Sequence, residues 1–229
     1  MHWSLRQALR GGQVLVVLAK PEPLCQRSAM QPSDWISSRD GTKLFTKSAF
    51  VPKPDRMVVL VHGFAEHIGR YKELIAELNK ANMSVLGLDL RGHGRSHGKR
   101  GYIDSLSQYS EDLDAAVKHA QHKAGVSRVT LVAHSMGGLV ASMYAARHSH
   151  NLAGMVLSSP LFALSVKVPY FKKKLGLLVS SFLPGFSLAN TLDAKVLTHD
   201  LNKVRAYQED PLIFHHVTAR WFERVIGFR

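Results

Sequence analysis

Four short apolar runs recur between residues 57 and 157, and amphipathic segments separate them. The runs are continuous rather than alternating, which is typical of strands buried on both faces of a parallel sheet. The segments between them carry apolar residues at helical spacing. Strand and helix therefore alternate, which predicts an α/β fold with a mostly parallel sheet flanked by helices. The predicted strands are Met57–Val61, Ser84–Leu88, Val129–Ala133 and Gly154–Leu157, and the predicted helices follow Tyr71 and occupy Leu106–His122 and Ser135–His148.

The pattern changes on both sides of this block. Trp35–Ile36 and Leu44–Phe45, separated by the turn Asp40–Gly41, predict a hairpin. Beyond Pro160 no buried-strand run returns, and patterns at about 194–207 and 211–226 predict a helical cap. We therefore expect an N-terminal extension upstream of a start at Met30, a core and a cap. Their bounds are residues 1–29, 30–160 and 161–229.

Charge and cysteine content narrow the class of protein. The chain has 30 Lys and Arg against 17 Asp and Glu, but only 11 against 8 between Met57 and Ser159. The basic excess therefore lies towards the ends, and without a recognisable binding motif we expect no nucleic-acid partner. The single cysteine, Cys25, excludes an internal disulfide and fits a reducing compartment. The run Val14–Ala19 is short for a signal peptide, and no run reaches the roughly 18 residues of a spanning helix, so we expect a cytoplasmic protein.

One motif in the predicted α/β core indicates a catalytic function. Ala133-His134-Ser135-Met136-Gly137-Gly138 lies where a predicted strand meets a predicted helix, as the G-x-S-x-G nucleophile elbow does, with Ala133 at the first glycine position. Small residues are needed there because the turn is sharp and neighbouring backbones approach closely. Ser135 is therefore the predicted nucleophile. The simpler interpretation, a serine that caps a helix, is less favoured because of the strand before it and the helix after it.

A serine nucleophile needs N–H donors for the oxyanion that forms when it attacks. The Met136 N–H is free at the start of the predicted helix, and Phe64 follows His62-Gly63 at the end of the first buried strand. We expect these two amides to form the oxyanion hole, and His62 to brace the loop rather than transfer protons. No metal site is expected, since His62, His67, His93 and His97 lack metalloprotease spacing.

Five short motifs follow one another along the chain: His62–His67 with Arg70–Tyr71, Asp89–Ser96, His134–Gly138, Gly154–Pro160 and Asp210–Leu212. Together they closely resemble the monoglyceride lipase and lysophospholipase group of the serine aminopeptidase S33-like α/β-hydrolases. The resemblance covers about Met30 to the end of the chain. Several ordered motifs are far more specific than the elbow alone.

The resemblance implies an α/β-hydrolase fold whose helical cap acts as a lid from Leu161 onward. It implies hydrolysis of one acyl ester of a small amphiphilic, monoacylglycerol-like lipid through an acyl-enzyme on Ser135, with Phe64 and Met136 as oxyanion donors. No cofactor is implied, because a serine and its oxyanion hole need none. A lysophospholipase, a general carboxylesterase, a proline-type aminopeptidase and a non-catalytic lipid-binding protein remain open, and the oligomeric state is not indicated.

The chain departs from that group in one respect. In the group, the triad acid and histidine follow the cap on loops after two further strands, whereas Arg229 still lies within the predicted cap. We therefore expect the C-terminal strands, the acid and the histidine to be missing, and Met155–Leu157 to form an unprotected sheet edge. A rewired triad would have to draw on cap residues, namely Asp193, Asp200, Glu209, Asp210, Glu223, His199, His215 and His216.

The cap also contains a candidate membrane surface. From Val168 to Leu183 one side is apolar, and Lys172, Lys173 and Lys174 lie beside it. A cationic amphipathic helix suits an anionic lipid interface. An ordinary cap helix with a solvated charged face is the alternative. We expect peripheral membrane contact through the cap.

Overall fold

The computed structural model describes residues 14–18, 33–162, 174, 178–189 and 198–225, and for residues 14–18 it gives the path of the backbone. Helices and strands alternate along the core and a shorter set of elements follows it. The strands are β1 Val14–Leu18, β2 Ser33–Ser37, β3 Lys43–Ala49, β4 Arg56–Val61, β5 Met83–Leu88, β6 Val129–His134, β7 Leu152–Ser158, β8 Ser187–Ala189 and β9 His216–Thr218. The α-helices are α1 Lys72–Lys80, α2 Leu106–Ala124, α3 Met136–His148, α4 Leu201–Gln208 and α5 Ala219–Val225.

The main sheet has the strand order β1-β7-β6-β4-β5-β3-β2. Its centre is parallel, because β4 pairs with both β5 and β6, and β6 pairs with β7. The hairpin β2–β3 adds to β5 in the antiparallel direction. The predicted α/β architecture, its four central strands and the hairpin are all confirmed.

Both faces of the central strands are covered, which explains their unbroken apolar runs. Val59 of β4 belongs to the larger core cluster, together with Leu113 of α2. Its neighbour Val58 belongs to a second cluster on the opposite face, together with Ile75 of α1. Successive side chains of a strand point to opposite faces of the sheet. When helices cover both faces, every side chain of the strand is buried and apolar residues are favoured at each position.

The start of α3 packs directly against the end of β4. A methyl group at Gly137 would lie 2.5 Å from the carbonyl oxygen of His62 and 2.7 Å from that of Val61. Both neighbours are backbone atoms of the sheet, which cannot rotate away as a side chain would. Glycine is therefore required at this position for the helix to begin where it does.

The outer edge of β7 is covered as well. Residues 14–18 run antiparallel to it, with Val14 opposite Ser158 and Leu18 opposite Gly154. The expectation of an unprotected edge at Met155–Leu157 was therefore wrong, because part of the predicted N-terminal extension supplies a strand there. Residues 1–13 and 19–32 lie outside the described residues.

The cap is less helical than the sequence pattern suggested. Helices α4 and α5 lie within the two predicted segments, but residues 216–218 form β9, which pairs with β8. The Thr218 hydroxyl donates to the carbonyl of Gly101 and fixes β9 to the core. A strand of three residues is too short to show the alternating pattern of a strand. The helical pattern on either side therefore led to the prediction of a helix across it. The stripe predicted from Val168 to Leu183 is described only at residues 174 and 178–183.

We expect Gly137→Ala to lower the free energy of unfolding by at least about 2 kcal/mol, because the new methyl group meets two carbonyl oxygens of β4. Ser142→Ala, on the same helix, is the matched control. It removes one hydroxyl that donates to the Gly138 carbonyl and should change stability by about 0.5 kcal/mol or less. Urea titrations followed by circular dichroism measure both. Equal stability of the Gly137→Ala protein and the parent would contradict the close approach.

Candidate active site

Ser135 occupies a strained turn between β6 and α3. Its backbone has φ 51° and ψ −118°, in a region that residues other than glycine rarely adopt. Its N–H donates to the Ser158 carbonyl at 3.0 Å, and its carbonyl accepts from the Leu161 N–H at 2.9 Å. The exit of β7 therefore holds the turn in place. Ser135 holds the N-cap position of α3, but its side chain makes no capping hydrogen bond among the described residues, which disfavours the simpler interpretation of a serine that only caps the helix.

The two amides expected to form the oxyanion hole flank this turn. Met136 is the first residue of α3, where helix N–H groups have no acceptor inside the helix. Phe64 follows Gly63, and a methyl group at Gly63 would lie 3.2 Å from the Ser135 Cβ. Within the described ranges, neither the Phe64 nor the Met136 N–H donates a hydrogen bond. The structure thus brings together all three residues that the sequence singled out.

Glu66 fixes the loop that carries Phe64. One carboxylate oxygen accepts from the Gly63 N–H at 2.7 Å and from the Tyr71 hydroxyl at 2.6 Å, and the other accepts from Arg70. Burial by itself favours the neutral acid, but the neighbouring His62 ring and these donors lower the pKa of Glu66. Burial and the adjacent carboxylate raise the pKa of Tyr71, so its hydroxyl keeps its proton. Glu66 belonged to a recognised motif, but its partners become visible only in the fold.

His62 joins the same loop to the loop after β5. Its Nδ1–H donates to the Gly63 carbonyl at 2.6 Å, and its Nε2 accepts from the Leu90 N–H at 3.1 Å. Both ring nitrogens are therefore in use, and burial lowers the pKa of His62, so the ring is neutral. These contacts confirm that His62 braces the loop.

A second neutral histidine lies behind Phe64. His93 is fully buried and donates from Nδ1 to the Arg91 carbonyl at 2.9 Å, while its Nε2 has no partner in the described part of the chain. Burial, followed by the proximity of His62, lowers its pKa well below the usual value. Its ring centroid lies 5.7 Å from that of Phe64 and 5.1 Å from that of Phe214. The support behind Phe64 is therefore aromatic and uncharged.

Aromatic residues of the cap complete this cluster. The Trp221 ring centroid lies 3.9 Å from that of Phe64, and its indole N–H donates to the Tyr109 hydroxyl at 3.1 Å. The Phe214 ring meets Phe64 edge to face at 5.4 Å. Sequence analysis missed these contacts because a pairing across about 150 residues leaves no local signal.

A hydrogen bond joins the cap to the loop at a second point. His67 Nε2 lies 2.8 Å from Asp210, and its Nδ1 accepts from the Gly69 N–H at 3.1 Å. Burial opposes the charge of Asp210, but the hydrogen bond from His67 lowers the pKa of that carboxyl group. Nearby, the Arg70 guanidinium lies 4.8 Å from the Tyr207 ring centroid. Since both nitrogens of His67 are occupied, this pair anchors the cap and is not placed as the base and acid of a triad.

None of the described cap residues considered for a rewired triad is joined to Ser135. Asp200 caps α4, and Glu223 accepts from the Ser180 hydroxyl. His215 and His216 contact the rings of Tyr207 and Phe214, and Asp193 lies outside the described residues. In the ranges that the structure describes, no histidine hydrogen-bonds to Ser135, and no group of three or more His, Cys, Asp or Glu could hold a metal ion.

Comparison with known proteins agrees with this geometry. The family described as serine aminopeptidase, S33 matches residues 52–228. A monoacylglycerol lipase of Mycolicibacterium smegmatis is 36% identical over 162 residues, which cover 71% of this chain and 58% of that protein. The monoglyceride lipase of Homo sapiens is 35% identical over 199 residues, covering 85% of this chain and 65% of the relative.

A solved structure of a monoacylglycerol lipase has a similar fold. The crystal structure of the Paleococcus ferrophilus monoacylglycerol lipase superimposes with a TM-score of 0.68 at 35% identity, covering 80% of this chain and 70% of the other. The chain thus spans 58% and 65% of the length of the two curated relatives. Since the family matches well over half of the residues and the elbow, loop and sheet agree with it, the chain belongs to the serine aminopeptidase S33 family, within the monoglyceride lipase group of α/β-hydrolases.

Proposed function

We propose that Ser135 is the nucleophile of a serine hydrolase that cleaves the carboxylic ester of a monoacylglycerol-like lipid. The observation that carries this proposal is the strained turn at Ser135, beside which the amides of Phe64 and Met136 have no acceptor among the described residues. The lipid substrate class is supported by relatives that are themselves named monoacylglycerol and monoglyceride lipases.

The chemistry follows from this arrangement. The Ser135 hydroxyl oxygen attacks the acyl carbon, and the carbonyl oxygen becomes an oxyanion that the Phe64 and Met136 N–H groups bind. Collapse of this intermediate breaks the bond from the acyl carbon to the glycerol oxygen, and glycerol leaves with the proton lost by Ser135. Water then attacks the acyl-enzyme, which releases the fatty acid and restores the hydroxyl group.

The rate depends on a proton acceptor for Ser135. His62 and His67 use both ring nitrogens elsewhere, and none of the other described histidines hydrogen-bonds to Ser135. Without a base, a serine hydrolase retains only the contribution of binding and the oxyanion hole, which still amounts to about 10³–10⁴-fold over water. With only the groups that the structure describes around it, Ser135 is expected to react selectively but slowly.

A fluorophosphonate probe should label Ser135 of the folded chain at least tenfold faster than any serine of the urea-unfolded chain, because the turn exposes the hydroxyl group beside two oxyanion donors. Ser135→Ala should abolish the labelling, and Ser142→Ala should leave it unchanged. Intact-protein and peptide mass spectrometry locate the label.

Labelling spread equally over several serines would contradict the proposal, because it would show that the turn confers no reactivity. Labelling of Ser135 at the full rate of an intact serine hydrolase would leave the proposal standing and overturn only the expected slow reaction, because it would require a base that the described residues do not provide.

Substrate class can be tested without turnover. Trp221 packs on Phe64, so a lipid that enters beside the oxyanion amides should change its fluorescence. We expect saturable quenching by a monoalkyl glycerol ether, a non-hydrolysable analogue, and at least tenfold weaker binding of the corresponding ether lysophospholipid. The measurement is best made in a Trp3→Phe, Trp35→Phe background, because the chain has three tryptophans and Trp221 then remains as the single reporter.

Trp221→Phe in that background is the control, since it should remove the quenching while keeping an aromatic ring against Phe64. Tighter binding of the lysophospholipid analogue would overturn the monoacylglycerol preference and favour a lysophospholipase. Binding of either lipid without any labelling of Ser135 would instead support the non-catalytic, lipid-binding alternative.

We also propose that the cap contacts a membrane surface in a peripheral manner. No helix among the described residues is long and apolar enough to cross a bilayer. The segment 178–188 nevertheless leaves large apolar side chains 49–76% exposed, and cationic groups border it. The Lys99 ammonium lies against Gly185, and Arg220 donates to the carbonyls of Ser180 and Pro184. The exposed apolar residues are Leu178, Phe182, Leu183, Phe186 and Leu188.

We expect the double variant Phe182→Ser, Leu183→Ser to weaken binding to vesicles containing anionic lipid by tenfold or more, since each lost side chain removes about 1.5–3 kcal/mol of apolar burial. Leu201→Ser is the matched control, because Leu201 is as exposed as Phe182 but lies outside the segment. Co-sedimentation with vesicles of neutral and of anionic lipid measures both. Equal losses in the two variants, or no binding by the parent, would end the membrane proposal.

A further inference from the structure

Ala65, the residue after Phe64, has a backbone conformation that alanine rarely adopts. Its φ is 61°, in the left-handed region that favours glycine. The residue is only 1% exposed, so this conformation belongs to the packed interior and not to a free surface turn. A residue keeps such a conformation only where its surroundings impose it. Because Ala65 adjoins Phe64, whatever imposes it also sets the course of the loop that carries the expected oxyanion amide.

Hydrogen bonds fix the loop on either side of the Phe64 side chain. The Glu66 carboxylate accepts from the Gly63 N–H at 2.7 Å and closes the loop on itself. The Ala65 carbonyl accepts from the Phe214 N–H, but this hydrogen bond is long, at 3.4 Å. The Phe64 ring has no polar group, so packing alone holds it. The neighbours of that ring therefore decide how firmly the middle of the loop is held.

Among the described residues, Trp221 is the nearest aromatic neighbour of Phe64. The two ring centroids lie 3.9 Å apart with an angle of 38° between the ring planes, whereas the rings of Phe214 and His93 lie 5.4 Å and 5.7 Å away. Trp221 is 4% exposed, so the contact is shielded from water. Close packing of this kind opposes movement of the Phe64 ring.

Trp221 is itself fixed to the core at two points. Its indole N–H donates to the Tyr109 hydroxyl at 3.1 Å, and Tyr109 is fully buried in α2. Its backbone N–H donates to the Thr218 hydroxyl at 3.2 Å, and that hydroxyl donates to the Gly101 carbonyl. Neither point lies in the Phe64 loop. A ring held in this way can impose a conformation on its neighbour rather than adapt to it.

We propose that Trp221 is a positioning residue: through the Phe64 ring it holds Ala65 in the left-handed conformation, and so holds the Phe64 amide beside Ser135. The catalytic consequence rests on the proposed role of that amide in the oxyanion hole. The conformational consequence does not, because it concerns only the packing of neighbouring side chains. Since Trp221 belongs to α5, a cap residue then takes part in forming the oxyanion loop.

Carbon chemical shifts of Ala65 test the conformational consequence, because the Cα and Cβ shifts of an alanine report its backbone angles. In the unaltered chain they should have the values of a left-handed residue. In Trp221→Leu they should move towards helical or extended values, since leucine has no ring to pack on Phe64. Trp221→Phe keeps a ring there and should leave them unchanged. Ordinary values in the unaltered chain, or unchanged values in Trp221→Leu, would overturn the proposal.

The rate at which a fluorophosphonate labels Ser135 tests the catalytic consequence. We expect Trp221→Leu to label about tenfold more slowly, the factor that corresponds to the cost of a rare backbone conformation. Adding Ala65→Gly should restore the rate to within about threefold of the parent, because glycine adopts this φ without strain. Asn82→Gly is the matched control: Asn82 also has a positive φ, of 56°, but lies in the turn before β5 and should restore nothing.

The two glycine variants separate positioning from a general loss of stability. Equal restoration of the rate by both, or no restoration by Ala65→Gly, would overturn the proposal. Absence of labelling in the parent would instead overturn the proposed nucleophile, and the Ala65 shifts would still decide the role of Trp221.

A milder variant covers the case in which leucine at position 221 unfolds the chain. Tyr109→Phe removes only the hydroxyl group that accepts from the Trp221 indole. It should move the Ala65 shifts in the same direction as Trp221→Leu and slow the labelling by about threefold, and Ala65→Gly should again reverse the loss. Circular dichroism checks that each variant is folded. A folded Tyr109→Phe chain with unchanged shifts and rate would contradict the proposal.

Discussion

The close approach of α3 to the carboxyl ends of β4 and β6 is the constraint on which the site depends. Gly137 lies against the carbonyls of His62 and Val61, and Gly63 lies against Ser135. Side chains at these positions would force the helix and the loop apart. Because backbone meets backbone here, Ser135 is held in a conformation that it would not adopt alone, and the exit of β7 supplies the hydrogen bonds that maintain it.

Buried hydrogen bonds hold the loops beside Ser135 in place. Glu66 binds Gly63, Tyr71 and Arg70, while neutral His62 joins two loops. In a medium of low dielectric constant such hydrogen bonds are strong, and breaking one leaves a costly unpaired group. The network holds the loop that carries Phe64 beside Ser135, and among the described residues the Phe64 amide donates no hydrogen bond. Fixed, unpaired donors at this place support the proposed oxyanion hole.

Much of the fold and part of the site could be predicted from local pattern. The strands β4 to β7 read as unbroken apolar runs because helices cover both faces, and Ser135 stood out through its place between strand and helix. Phe64 and Met136 were predicted as oxyanion donors from their places at the end of a predicted strand and at the start of a predicted helix. By contrast, the contacts of Phe64 with Trp221 and of His67 with Asp210 join residues more than 140 positions apart, and no local property of either partner indicates the other.

The sequence by itself determined the architecture of the core, since burial on two faces imposes a composition that can be read directly. It also singled out Ser135 as the candidate nucleophile, since only small residues fit the turn that surrounds it. The tertiary structure decided which segment closes the sheet and how the cap meets the oxyanion loop. From the sequence, β1 was assigned to an N-terminal extension and β9 to a helical segment. Both are short, and a short strand is stabilised by the strand with which it pairs more than by its own sequence. Such pairing is a property of two distant segments together.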